Sequence, residues 1–463
     1  MKIEQIYTGC LAQGAYYIES EGEAAIIDPL RETDPYLKKA AKDGAKIKYI
    51  FETHFHADFV SGHLELSKKT GAKIVYGEGA KPSFDFVEAK DEQEFTLGKI
   101  KLKALHTPGH TLESTTYLLI DENGKEHSIF SGDTLFIGDV GRPDLAQKGS
   151  LTQDHLAGML YDSLRSKIMP LPDDVIVYPA HGAGSACGKN MSSETTDTLG
   201  NQKKSNYALR ADMTKDEFIK EVTEGILPPP KYFAANVQMN KSGAISLEEV
   251  MKKGNVPLDI ETFEGMADHE GALVLDTRSQ EDFAEAHIPN SIFIGIGGDF
   301  APWVGALIPD LEQPIIFIAD KGKEEEVVKR LSRVGFDNTL GYLEGGFDAW
   351  RASGRDTDTV KSISAEEFAK AYNGGDLNVM DVRKPGEWQT DHIEGAMNLP
   401  LDYISEQMDK LDKDTTYHVH CLGGYRSIIA ASILKSRGYH NLVDIAGGYK
   451  SIVATKIPRE ALA

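Results

Sequence analysis

Short apolar runs bounded by turn residues open the chain and read as strands. Ala15-Tyr16-Tyr17-Ile18 and Ala24-Ala25-Ile26-Ile27-Asp28 flank Glu21-Gly22 as a hairpin-like pair. A helix is expected over 34–43, with Asp34 as its cap and Pro35 at its first position. Lys48-Tyr49-Ile50-Phe51 reads as a buried strand, 62–70 as a helix, and Lys73-Ile74-Val75-Tyr76 as the next strand. Residues 99–105 alternate polar and apolar, as a half-buried strand does. Stretches 115–120 and 128–130 bracket Asn123-Gly124, a strong turn signal. A helix over 154–167 precedes the strand Val175-Ile176-Val177-Tyr178. From 201 to 227 the pattern turns helical. Pro228-Pro229-Pro230 breaks it, and the tail to about Pro257 reads as linker and closing segment.

The pattern then repeats. Leu273-Val274-Leu275-Asp276-Thr277-Arg278 recurs as Asn378-Val379-Met380-Asp381-Val382-Arg383. In each copy a histidine follows the aspartate by eleven residues, His287 and His392. Each copy later has a Gly-Gly-aromatic turn, Gly345-Gly346-Phe347 and Gly447-Gly448-Tyr449. A period of about 100 residues is a domain duplication, too long for a solenoid repeat. Three domains follow from this, over 1–250, 258–356 and 360–463. The length of 463 residues agrees, at about 150 residues per domain.

Composition narrows the class. The net charge of −22 argues against nucleic acid or an anionic membrane surface as partner, since both need basic patches. No apolar run reaches about 18 residues, and Met1-Lys2-Ile3-Glu4-Gln5-Ile6 is not a secretory signal. Three cysteines, Cys10, Cys187 and Cys421, are too few for a disulfide framework. A reducing, cytoplasmic setting is expected, with a homo-oligomer as the assembly.

The chemistry sits where strands end. The strand before Thr53-His54-Phe55-His56-Ala57-Asp58 delivers two histidines and an aspartate at alternate positions, so their side chains can converge. A histidine pair capping a strand is the plainer reading of that stretch taken alone. His110, Asp133 and His181 are placed in the same way, and six such residues at strand ends point to a metal site. Thr53-His54-x-His56-x-Asp58, Thr107-Pro108-Gly109-His110-Thr111, Ser131-Gly132-Asp133-Thr134 and Pro179-Ala180-His181-Gly182 resemble the metallo-β-lactamase superfamily. The resemblance implies an α/β fold, an αββα sandwich with the metal at one edge.

Most members with two zinc ions, such as glyoxalase II and lactonases, carry a histidine directly after the motif aspartate. Here that position is Phe59. The stretch from Asp133 through Gly141-Arg142-Pro143-Asp144, with His110-Thr111-Leu112-Glu113-Ser114, is similar to the persulfide dioxygenase branch. That resemblance implies one Fe(II) held by His54, His110 and Asp133. His56, Asp58 and His181 would stand behind these ligands or serve as alternative ones. Two imidazoles and one carboxylate leave positions open for O₂ and a substrate sulfur. Hydrolysis gains instead from a second metal, and a one-zinc hydrolase remains the alternative. Cys187, in the glycine-rich Gly182-Ala183-Gly184-Ser185-Ala186-Cys187-Gly188-Lys189, is a candidate for substrate contact or a small buried residue. Arg142 and Lys189 are candidates for binding a thiol carrier's carboxylates or phosphates, or for structural pairing. Cys10 suits packing at least as well as chemistry.

Both repeats resemble rhodanese domains, small α/β modules with a parallel sheet. In the last copy Tyr417-His418-Val419-His420 runs into Cys421-Leu422-Gly423-Gly424-Tyr425-Arg426, with a helix expected from about Ser427. Backbone N–H groups of Gly423 and Gly424, the helix dipole and Arg426 would stabilise a Cys421 thiolate or persulfide. In the middle copy the aligned loop begins at Asp320-Lys321-Gly322-Lys323, is read as two residues shorter, and has no cysteine. That copy is expected to be catalytically silent.

The two activities join on sulfur. The first domain would oxidise a low-molecular-weight thiol persulfide (of glutathione, coenzyme A or a similar carrier) with O₂ to sulfite. Cys421 would then move sulfane sulfur, making or using thiosulfate. A zinc thioesterase or lactonase fused to a sulfurtransferase, and a non-enzymatic sulfur carrier, are the rival readings.

Overall fold

The computed structural model describes residues 1–372 and 377–461. The four positions before 377 and the last two of the expected 360–463 domain lie outside the described residues. The chain forms two units, Met1–Leu247 with Ser332–Gly335, and Glu248–Leu331 with Phe336–Ala463.

The first unit holds two six-stranded sheets. One runs in the spatial order Lys2–Thr8, Gln13–Ser20, Glu23–Ile27, Lys46–Phe51, Lys73–Gly77, Val87–Ala89. The other runs Asp197–Thr198, Ile176–Pro179, Glu126–Gly132, Thr115–Ile120, Ile100–His106, Glu94–Leu97. Tyr16, Ile18, Phe51 and Val75 from the first sheet pack against Leu102, Tyr117 and Phe130 from the second, forming the central core. Helices Asp34–Asp43 and His63–Thr70 cover the outer face of the first sheet through Tyr36, Ala40 and Leu66. Helices Gln153–Ser163 and Lys215–Thr223 cover the second through Leu156-side neighbours Ala157 and Leu160 and through Phe218 and Val222. Each sheet is therefore buried on both faces, and the layers are α, β, β, α.

Local chemistry accounts for most boundaries. Glu21 and Gly22 both adopt positive φ, 53° and 78°, as a tight turn of matching twist requires. The helix Asp34–Asp43 has Thr33, not Asp34, at its cap, with proline in its first turn. The helix expected over 154–167 is α-helical through Ser163 and then widens into a π-helical stretch, Leu164–Ile168. The presumed linker contains two helices, Phe233–Ser242 and Leu247–Gly254. The first of them packs Val237 on the outer cluster of the first sheet.

The second unit carries two five-stranded parallel sheets of the same order. They are Pro257–Leu258, Thr339–Leu343, Ile315–Ile318, Leu273–Asp276, Ile292–Phe293, and Lys361–Ile363, Leu442–Ile445, Tyr417–His420, Asn378–Asp381, Met397–Asn398. The repeated motifs have structural work in both copies. Asp276 and Asp381 each hold the guanidinium two residues on, with Nη2 to Oδ2 at 2.6 Å in both. The aromatic of each Gly-Gly-aromatic turn lies over that arginine, Phe347 at 4.1 Å and Tyr449 at 3.8 Å. His287 and His392 each bond through Nδ1 to the carbonyl four residues back and stack on its ring, Phe283 or Trp388.

Phe130 is fully buried between the two sheets and touches Tyr16 and Tyr178, with centroids 5.0 and 5.3 Å away. Phe130→Ala is expected to destabilise the first unit by about 3–5 kcal/mol, read as a lower denaturant midpoint.

Candidate metal centre and cysteine loop

Strands from both sheets end at one edge of the sandwich. Lys46–Phe51 leads to His54, Ile100–His106 to His110, Glu126–Gly132 to Asp133 and Ile176–Pro179 to His181. Ligand atoms of His54, His110 and Asp133 lie within 4.8 Å of one another, and all three residues are buried. Asp133 Oδ2 is 3.3 Å from His110 Nε2 and 3.8 Å from His54 Nε2.

The rings are oriented from behind. His110 Nδ1 donates to the Arg142 carbonyl at 2.8 Å, and His181 Nδ1 faces the Ala12 carbonyl at 3.3 Å. The Thr53 hydroxyl donates to Asp28 Oδ2 at 2.9 Å, so its oxygen accepts from His54 Nδ1, also at 2.9 Å. Each Nε2 is thereby left as a bare lone pair, the tautomer a metal needs. Burial, reinforced by His56, His110 and His181, pushes the His54 pKa well below the usual range and keeps that ring neutral. Close backbone approach permits the arrangement. A Cβ on Gly141 would lie 2.0 Å from the Asp133 carbonyl oxygen, and one on Gly132 (φ 53°) 2.6 Å from the Thr53 side chain.

The donor set fits a cation. Both carboxylate oxygens of Asp133 are buried without a hydrogen-bond partner, as are those of Asp58 and Nε2 of His181. Buried carboxylates left bare are strongly unfavourable, and a metal ion among the imidazoles satisfies them.

His56 differs from the other three histidines. Its Nε2 is 3.0 Å from Asp28 Oδ1 and 3.3 Å from Glu52 Oε2. Burial alone would lower its pKa, but these two carboxylates outweigh burial and raise it well above the ordinary value. Glu52, which burial would raise, is held low by His56 and His63. His56, Asp58 and His181 do form a second buried group within 4.8 Å. Phe59 lies beside it, fully buried, its ring 4.3 Å from His56. Cys187 groups with Asp133 and His181 within the same distance. Burial, then the Asp133 and Asp58 charges, push its thiol well up, so it stays protonated.

Arg142 and Lys189 both hold protein partners, Arg142 in the interior and Lys189 at the surface. Arg142 pairs with both oxygens of Asp144 and donates to the Ala186 and Leu227 carbonyls. Lys189 Nζ caps the end of helix Lys215–Thr223 through the Glu221 and Glu224 carbonyls. These contacts are the structural pairing that the sequence left open for both residues.

In the last copy, Cys421 is buried and Gly424 N–H donates to its Sγ at 3.1 Å. Gly424 has φ 101° and caps the helix, which begins at Tyr425, two residues earlier than expected. A Cβ on Gly423 would meet nothing within 4 Å, so space is open there. Arg426 does not stand free beside the sulfur. Both terminal nitrogens hold Glu387, at 2.7 and 2.9 Å. The middle copy needs a correction too. Pairing with the neighbouring strand places Ile318 opposite Asp276 just as it places His420 opposite Asp381. Ala319, not Asp320, therefore takes the cysteine's position. The loop is not shorter: four residues, 421–424, join strand to helix in the last copy and five, 319–323, in the middle one, and the late start expected at Ser427 lengthened the former.

The Metallo-beta-lactamase superfamily pattern matches residues 8–181, and the Rhodanese-like domain pattern matches 259–353 and 364–455. A Schizosaccharomyces pombe protein described as a probable hydroxyacylglutathione hydrolase is 32% identical over 35% of this chain, and the match spans 60% of that protein's length. The mitochondrial persulfide dioxygenase ETHE1 of Homo sapiens is 31% identical over 47% of this chain and 78% of its own. A crystal structure titled metallo-beta-lactamase from Staphylococcus aureus superposes with a TM-score of 0.68 at 32% identity, covering 74% of this chain and 98% of that one. The chain belongs to the metallo-beta-lactamase superfamily. Two rhodanese-like domains follow its lactamase-like domain.

Two supports of the superfamily site escaped the sequence. Asp28 ends the strand Glu23–Ile27, and the strand-end rule that found His54 could have found it. Asn240 gave no signal. It lies in the supposed linker, on helix Phe233–Ser242, and donates to the His56 and Phe59 carbonyls at 2.8 Å each. Its Oδ1 accepts from Ser61 N–H, also at 2.8 Å. Asn240→Ala strands three buried backbone groups and is expected to destabilise by about 2 kcal/mol or more. Metal bound per chain should fall with it, read by elemental analysis after loading, while Phe130 near-ultraviolet signals of the sandwich persist.

Proposed function

We propose that the lactamase-like domain oxidises a low-molecular-weight thiol persulfide with O₂ at a single ferrous ion, and that Cys421 passes on sulfane sulfur. The net first step is RSSH + O₂ + H₂O → RSH + SO₃²⁻ + 2H⁺. The observation that carries the reading is the state of the second donor group. Phe59 offers no ligand, and His56 is held between Asp28 and Glu52, which leaves His54, His110 and Asp133 as the group of two imidazoles and one carboxylate whose imidazoles are not tied to Asp28 and Glu52.

Bound ferrous iron would supply O₂ activation and a seat for the substrate sulfur. The residues do the rest. His54 and His110 present Nε2 atoms fixed in orientation by Thr53 and Arg142, and Asp133 balances charge. Buried Phe59 and Phe136 keep water from one side. Cys187, protonated and next to Asp133, offers a soft neutral contact for the substrate's sulfur chain.

In the last rhodanese-like domain, Gly424 N–H already holds Sγ, and the open space at Gly423 suits a second sulfur. Transfer to sulfite is balanced as Cys421–S–S⁻ + SO₃²⁻ → Cys421–S⁻ + S₂O₃²⁻. The reverse loads Cys421 from thiosulfate. The carrier thiol, whether glutathione, coenzyme A or another, binds from solution.

The similarity to hydroxyacylglutathione hydrolases, together with the His56, Asp58 and His181 group, favours one second reading: a zinc thioesterase. Elemental analysis of purified protein with an oxygen electrode separates the two. About one iron per chain and O₂ uptake on adding persulfide are expected. Stoichiometric zinc without O₂ uptake sinks the dioxygenase reading. His110→Ala should abolish O₂ uptake and leave thiosulfate-to-cyanide transfer, while Cys421→Ser should do the reverse.

A further inference from the structure

We propose that the cysteine-less middle copy is the positioning half of the Cys421 site, acting through Tyr425. The clamp goes beyond the sulfurtransferase reading above and presupposes that Cys421 works as a thiolate.

A glycine loop cannot hold its own shape, because it has no side chains to pack. The Cys421 loop is held from two sides. Within its own domain, the turn at Gly448 supports it: Tyr449 and Lys450 N–H donate to the Cys421 and Leu422 carbonyls at 2.7 and 3.0 Å. On the other side, the residue directly after Gly424 leaves the domain altogether. Tyr425 is the first residue of helix Tyr425–Ser436, and its hydroxyl donates to the Gly295 carbonyl of the middle copy at 2.7 Å. Its ring meets Phe293 edge-on, centroids 5.7 Å apart.

Gly298 makes room for that ring. A Cβ there would stand 2.4 Å from the Tyr425 ring. Gly298 is not among the residues with positive φ, so its backbone does not call for glycine, and space is what does. Further along the same helix, Ser432 Oγ accepts from Phe293 N–H at 3.0 Å. Gln280 of the middle copy places its amide 3.2 Å from where a Gly424 Cβ would be. A cavity of about 300 Å³ opens beside this contact, with Gln280 and Glu281 on one wall and Gly424 and Gly447 on the other. The middle copy thus fixes where the helix starts, and the helix start sets the distance from Gly424 N–H to Cys421 Sγ.

Tyr425 is a positioning residue and does not touch the reacting sulfur. Its removal should relax the N–H contact that favours the thiolate. The charged and titratable neighbours, Asp381, Arg383, Glu387, His420, Arg426 and Glu281, are unchanged in the variants below.

The test is alkylation of Cys421 by iodoacetamide across pH in the metal-loaded, full-length chain, read at the Cys421 peptide by mass spectrometry. Tyr425→Phe should slow the reaction at neutral pH about three- to tenfold, the range of one hydrogen bond, and move the midpoint of the profile upward. Gly298→Ala should do the same. Ser432→Ala, farther along the same contact, should leave the midpoint in place. An unmoved midpoint in folded Tyr425→Phe overturns the proposal, as does an equal shift in Ser432→Ala. If the wild type transfers no sulfur yet Tyr425→Phe still shifts the midpoint, the clamp stands and the sulfurtransferase reading falls.

Discussion

A buried carboxylate with nothing to bond governs the first unit. Both oxygens of Asp133 lie out of water without a hydrogen-bond donor, and such a group is tolerated only beside a compensating charge. The surrounding sandwich is arranged to supply one. Strands from two sheets end at the same edge, one delivers Asp133 itself, and three others deliver His54, His110 and His181, each with its Nδ1 already engaged. The bonds to Arg142, Ala12 and Thr53 do more than hold rings in place. They favour the tautomer that leaves each Nε2 as a directed lone pair. Gly132 and Gly141 let the backbone come close enough for this to happen.

Behind that edge a second set of buried charges is paired by protein groups. Asp28 and Glu52 are both buried, and His56 sits between them. One imidazolium answers two carboxylates, and Asp28 in turn holds Thr53, which orients His54. The histidine that would extend the motif toward a second ion is therefore committed to the protein interior. Phe59 fills the adjoining space with a ring that cannot ligate. The two features act together: restoring a histidine at position 59 would still leave His56 tied to its acids.

Much of this was legible in the sequence, because strand ends and ligand types are local signals. Strand-end placement gave six candidate ligands, the resemblance to the persulfide dioxygenase branch singled out His54, His110 and Asp133 among them, and the duplication of the Asp-x-Arg motif could be read from its repeat. What stayed hidden was mostly partnership at long range. Asn240 is 184 residues from the His56 carbonyl it holds, and nothing local in a Pro-flanked tail marks such a contact. Arg142 and Lys189 looked available because charge suggests a ligand, yet Lys189 and part of the Arg142 fork are held by backbone carbonyls, which carry no side-chain signature, and the rest of that fork by Asp144. Arg426 was placed near the sulfur correctly in sequence, but Glu387, from a helix 39 residues earlier, takes its fork. The loop comparison failed for a different reason. Helix starts are poorly marked when glycine is the cap, and the two-residue error there made the middle loop look short. Reading the middle strand through Ala319, one residue beyond its true end at Ile318, moved the position aligned with Cys421 off Ala319 to Asp320.

The corrected alignment shows what separates the two copies physically. In each, a helix N-terminus faces the end of the central strand, and its N–H groups call for negative charge. The middle copy answers from within. Its helix Glu324–Arg333 opens with Glu324, Glu325 and Glu326, and Glu324 also takes the Gly322 N–H at 2.8 Å. The last copy opens with Tyr425, Arg426 and Ser427, so no acidic side chain stands in its first turn. There the Gly424 N–H reaches the sulfur of Cys421 instead. One end of a helix can be neutralised by its own glutamates or kept for an anion, and the same fold does each once. Adding a cysteine at Ala319 would not by itself make the middle copy reactive, because its helix end is already occupied by carboxylates.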